Sequence, residues 1–128
     1  MFEHIEIMNL AQSMGRHAAL RQTTVARNMA HADTPGFKAR DVVPFAQSYA
    51  DQTGMALKAT RAGHIGASGG VRADVITRSD PGTASPNGNT VSLETEMVKA
   101  VEVKRQHDLS LAIYKSAMNI LRTSASRS

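Results

Sequence analysis

Between Leu93 and Thr123 the chain has neither Pro nor Gly, and between Glu3 and Ala32 it has no Pro and one Gly, Gly15. Pro and Gly are the residues that break helix interiors, so these two stretches predict two long helices, one at either end of the 128 residues. A helix of about 30 residues measures about 45 Å. That is too long to bury one face inside a small compact domain. Each helix needs a partner alongside it, and the other terminal helix is the candidate.

The apolar pattern supports this pairing. In the first stretch Ile7, Ala11, Met14, Ala18, Val25 and Ala32 keep a heptad-like spacing that Arg21 and Asn28 complete, with Met8 and Met29 on its border. In the second, Leu93, Met97, Ala100, Lys104, His107, Leu111, Tyr114, Met118 and Leu121 repeat it, flanked by Val98, Val101 and Ala112. Ser92 is the expected N-cap, and Glu94 and Glu96 in the first turn suit the helix dipole. The expected fold is mainly α, with the terminal helices paired as a coiled coil. Neither stripe is rich in Leu or Ile, so the pair alone should be weak.

The middle differs in kind. Residues 51–88 hold seven of the nine Gly and two of the four Pro, and no aromatic residue. "GASGG" and "DPGTASPNGN" read as loop, while "MALKAT" from Met55 and "VRADVIT" from Val71 alternate as short strands do. The chain therefore divides into an N-terminal helix over 1–33, a turn and small, partly extended segment over 34–91, and a C-terminal helix over 92–128. "TPG" at Thr34 to Gly36 is the stop between the first two. Pro35 disfavours helical backbone at Thr34, and Gly36 can take the positive φ of a type II turn.

Little in the sequence points to chemistry. There is no Cys, which removes disulfides, thiolate metal sites and cysteine nucleophiles. His4, His17, His31, His64 and His107 form no metal-binding pair at helical spacing, and "GHIGASGG" lacks the Gly-Lys-Ser/Thr ending of a phosphate loop. The expectation is no enzyme, no cofactor, no metal and no small-molecule substrate. The net charge of +4 is scattered, without the basic block or interleaved aromatics of a nucleic-acid binder. "MFEHIEIMNLAQ" has neither a basic leader nor an apolar run, and nothing approaches a membrane span of about 20 apolar residues. From the residues alone the default compartment is cytoplasmic.

"ARNMAHADTPGFKARD" resembles the N-terminal signature of flagellar basal-body rod and hook proteins, close to Ala-x-Asn-Ile-Ala-Asn-x-x-Thr-Pro-Gly-Tyr/Phe. Asn28, Ala30, Thr34, Pro35, Gly36 and Phe37 match it, Met29 is a mild variant, and His31 stands in place of the second Asn. "NGNTVSLETEM" is similar to the start of the C-terminal helix in a short proximal member of that family, through Asn89, Thr90, Val91, Leu93, Glu94, Glu96 and Met97. Asn87 and Ser92 replace two Asp residues of that pattern. Thr60, His64 and Ile65 echo the same member. The resemblance implies a structural subunit of the proximal rod that polymerises through its terminal helices, joins the membrane ring and export gate to the rest of the rod, and transmits torque. It implies as partners copies of the chain itself, other rod proteins, the adaptor FliE and the export gate. It also implies a periplasmic place in the basal body, reached through the flagellar type III export channel without a cleaved signal. On this reading Thr34 to Gly36 takes the chain out of the helical layer, and Phe37 anchors the departing strand outside the helix pair. The alternatives are the sibling rod protein FlgC, of similar size and plan, and a small cytoplasmic coiled-coil adaptor or chaperone.

Overall fold

A computed structural model of the protein describes residues 2–54, 75–77 and 84–127. In chain order it contains helix α1 (Phe2–Ala30), strand β1 (Arg40–Val42), helix α2 (Phe45–Gly54), strand β2 (Val75–Thr77) and helix α3 (Leu93–Ser126). The long helices pack on each other and run antiparallel. Asn28 meets Glu96, Arg21 meets Glu102, and Gly15 lies beside Ser110, so positions rise along one helix as they fall along the other.

The α1 side of the seam buries Ala11, Ala18 and Val25, with Met14 and Arg21 half-buried between them. His17, Thr24 and Asn28 are buried next to them and broaden the stripe. Ile7, near the free end, stays 41% exposed. On α3 the seam departs from the expected stripe. The buried positions are Glu96, Lys99, Val103, Ser110 and Ala117, one residue earlier than the heptad row of larger side chains. Leu93, Met97, Leu111 and Met118 are exposed, Tyr114 and Leu121 are half-buried, and His107 lies in solvent. Size is the reason. Ser110 faces Gly15 so closely that a Cβ added to the glycine would stand 3.4 Å from the Ser110 oxygen. Leu111 or Tyr114 at such a contact would force the helices apart.

Ser92 occupies the N-cap position of α3 in extended backbone, but its hydroxyl makes no capping bond. The first turn is closed by the backbone instead, the Glu96 N–H donating to the Ser92 carbonyl at 3.0 Å. Glu96 itself points into the interior rather than serving the helix dipole.

β1 and β2 form an antiparallel pair with Arg40 opposite Thr77, Asp41 opposite Ile76 and Val42 opposite Val75. The strand expected from Val71 is thus found over Val75–Thr77. The one expected from Met55, and the echo at Thr60, His64 and Ile65, lie outside the described residues. Helix α2 was not anticipated within the extended middle. Its signal is Pro44, whose carbonyl accepts from Gln47 and Ser48 N–H and opens the first turn. Phe45 and Tyr49, four apart, then stack at 6.1 Å on one face.

Where the intrachain seam lies can be tested on the dilute chain. Val103→Ala should lower the unfolding free energy by about 2 kcal/mol, whereas Leu111→Ala should change it by less than about 0.5 kcal/mol. Urea denaturation followed by circular dichroism reads both, and the reverse order would place the large-residue row in the seam.

A candidate assembly junction at the end of the first helix

An α-helix leaves its last carbonyls without intrahelical partners. At the end of α1 the backbone first tightens: His31 N–H donates to the Arg27 and Asn28 carbonyls, Ala32 N–H to Met29 and Thr34 N–H to His31. Asn89, from just before α3, adds a side-chain donor to the carbonyls of this turn. Its side-chain amide nitrogen lies 2.9 Å from the His31 carbonyl, 2.8 Å from that of Ala32 and 2.8 Å from that of Thr34. Its own oxygen accepts from Val91 N–H at 2.8 Å, so the buried amide is satisfied at both ends.

The Thr34-Pro35-Gly36-Phe37 turn closes with Phe37 N–H donating to the Thr34 carbonyl, and Gly36 has φ of 75°. Across from it Ser85 to Gly88 makes a second turn, with φ of 84° at Gly88. The glycines are neighbours: a Cβ on Gly88 would stand at ordinary contact distance, 3.5 Å, from the Gly36 Cα. Both take left-handed backbone. From there the segments run side by side. Gly36 N–H donates to Asn87, Thr90 N–H to the Phe37 carbonyl, and Ala39 N–H to the Thr90 hydroxyl at 2.8 Å. Lys38 adds an ammonium bond to the Gly88 carbonyl.

Asn28 does for the departing strand what Asn89 does for the helix end. Wholly buried, it donates to the Arg40 carbonyl at 2.6 Å, accepts from Arg40 N–H at 3.0 Å, and donates to the Glu96 carboxylate at 3.2 Å. Glu96 in turn holds Lys99 at 3.1 Å, and Lys99 lies 3.7 Å from Asp41. Arg21 reaches both Asp41 (3.4 Å) and Glu102 (3.3 Å). Five ionic side chains from α1, β1 and α3 thus meet beneath the junction, four of them largely buried.

The two sequence motifs therefore meet in space. Asn28 and the Thr34–Phe37 turn bind Asn89, Thr90 and Glu96, while Ala30, Thr34 and Pro35 face solvent, and Val91 and Ser92 are half-buried. Leu93, Glu94 and Met97 open α3 on its exposed side. Phe37 is half-buried and stacks on His31 with ring centroids 4.5 Å apart and planes 16° from parallel. Asp41, Lys99 and Gly88 belong to the site and were not singled out from the sequence, and Arg21 was read only as a seam position. A Gly between two Asn is a turn signal, but charges that meet across three segments leave no local trace.

Beside the charges, a cleft of about 630 Å³ opens between Met14, His17, Phe45 and Leu109. Two of its polar groups are occupied with structure: His17 Nε2 lies 2.6 Å from the Val43 carbonyl, and Asp41 is held by Arg21 and Lys99, whereas the Gln106 side-chain oxygen is buried without a hydrogen-bond partner. Among the described residues no group of three His, Cys, Asp or Glu could hold a metal ion, and no helix is long and apolar enough to cross a membrane. The arrangement is built to fix backbone and helices relative to one another.

No family model matches the chain. Curated relatives do. A flagellar basal body rod protein FlgB of Agrobacterium fabrum is 37% identical over 119 residues, covering 88% of this chain and 87% of that protein. FlgB of Cereibacter sphaeroides is 35% identical over 118 residues, covering 86% and 91%. FlgB of Salmonella typhimurium is 32% identical over 117 residues, covering 80% and 83%. Identity at this level along nearly the whole of both partners, on a chain whose two terminal helices are joined at the family's own motifs, establishes that the chain belongs to the FlgB family of flagellar basal-body rod proteins.

Proposed function

We propose that this chain is a structural subunit of the proximal rod that polymerises through α1 and α3, links the membrane ring and export gate to the rest of the rod, and transmits torque by packing alone. The observation that carries this reading is the row Leu93, Met97, Leu111 and Met118. It is spaced like a coiled-coil seam, yet the chain's own helix pair leaves it exposed. Ile5, Ile7 and Ile120 add exposed apolar surface at the free end of the pair. A row of this kind suits further helices, supplied by copies of this chain and by other rod proteins. FliE and the export gate are the partners proposed at the membrane side. The working site is the periplasm, reached through the flagellar type III channel as an unfolded chain. Sparse apolar burial and the absence of disulfides make such a chain easy to thread. No catalytic step is assigned to it.

Two experiments follow. Leu111→Glu with Met118→Glu should leave the monomer's stability within about 0.5 kcal/mol of the parent while abolishing incorporation into basal bodies and swimming. Electron microscopy of purified basal bodies and motility assays read this, and normal rods from the double variant would refute the proposed interface. Asn89→Ala should act on the monomer as well. Three backbone carbonyls lose a shared donor, at a cost of about 1 to 3 kcal/mol, visible in the urea midpoint and as faster amide exchange in the last turn of α1. An unchanged midpoint would mean that the helix end is held by something else.

A further inference from the structure

Helix α3 carries two adjacent stripes, offset by one residue. The buried one holds Glu96, Lys99, Val103, Ser110 and Ala117; the other holds Met97, Ala100, Lys104, His107, Leu111 and Met118, with its large apolar side chains at Met97, Leu111 and Met118. Burial of apolar area alone favours turning the second stripe onto α1. The chain buries the first. We infer that the ionic cluster of Asp41, Glu96, Lys99 and Arg21 is a rotational selector, which decides the face α3 presents to α1 and so keeps Met97, Leu111 and Met118 outward.

The geometry gives the reason. Rotating α3 by one residue, about 100° on a helix, needs an axial shift of only about 1.5 Å, so the Asn89 junction does not forbid it. The same rotation carries Glu96 away from the Asn28 amide and Lys99 away from Asp41. It takes one of three hydrogen bonds from the buried Asn28 side chain, which keeps Arg40, and the Lys99 ammonium from the buried Asp41 carboxylate, which keeps Arg21. Gly15 against Ser110 works in the same direction, because the close approach there admits a hydroxymethyl and not a leucine. Buried polar groups are well suited to specifying one packing among several of similar stability. The use made of the outward stripe rests on the rod reading; the rotation itself does not, and is measured on the monomer.

The chain has no Cys, so single introduced thiols report their own exposure without background. Ser110→Cys and Leu111→Cys would each be placed in the parent chain and in a chain carrying Asp41→Ala, Glu96→Ala and Lys99→Ala, which removes the charges without adding large apolar side chains to the observed face. Alkylation rates would be followed on the dilute monomer. In the parent, the thiol at 111 should react quickly and the thiol at 110 slowly. In the chain without these charges the ratio of the two rates should fall by about tenfold or more, as position 111 turns inward and 110 outward. If that chain unfolds, both thiols react fast, and the near-isosteric pair Glu96→Gln with Lys99→Met then decides by the same shift in ratio. A ratio that matches the parent's in a folded variant of either kind overturns the selector. Loss of rods with the rotation intact would instead count against the assembly reading.

Discussion

One side-chain amide organises the end of this molecule. Asn89 sets its nitrogen against three carbonyls of the turn that follows α1, while its oxygen holds the backbone that leads into α3. The helix end and the helix start are thereby one structure. Pro35 and Gly36 matter because they bring the chain round to be clamped, and Gly36 and Gly88 matter because both take left-handed backbone there. Without the clamp, the terminal helices would be joined by a seam of small side chains and by the polar contacts of Asn28 and Arg21 with Glu96 and Glu102.

That seam is poor in apolar area. Ala11, Ala18, Val25, Val103 and Ala117 are the buried aliphatics of the helix pair, and none is large. Specificity is supplied by polar groups, with Asn28 bridging β1 and α3 and the charges of Asp41, Glu96, Lys99 and Arg21 meeting beneath it. Such clusters add little net stability over an apolar replacement, yet breaking one partner is costly. The result is a hairpin of two long helices, firmly defined at the junction and thinly held toward Ile5, Ile7 and Ile120. A subunit whose large side chains wait for neighbours has this character.

The helices, their pairing and the turn between them were legible in the sequence, because each rests on local signals: two stretches almost free of Pro and Gly, repeated heptad spacing, and Thr-Pro-Gly. The facing stripe of α3 was not. Reading by apolar size selects Leu111 and Met118, whereas helix approach selects Ser110 and Ala117, and only the position of Gly15 and Asn28 on the other helix decides between them. Ser92 shows a similar limit, since a residue at the right place for a cap makes no cap bond. Helix α2 was missed because the Gly-rich composition beyond it overshadowed Pro44 and the Phe45–Tyr49 pair. Asn28 and Asn89 were picked out through resemblance, and their roles emerged only when the carbonyls they face were in view.

Native-state hydrogen exchange of the dilute monomer, resolved by NMR, tests most directly whether the junction holds the helix pair together. Amides from Asn28 to Thr34 and from Glu96 to Val103 should be the slowest to exchange, with protection falling steadily toward the start of α1 and the end of α3. Uniform protection along both helices, or protection greatest at the free end, would contradict it.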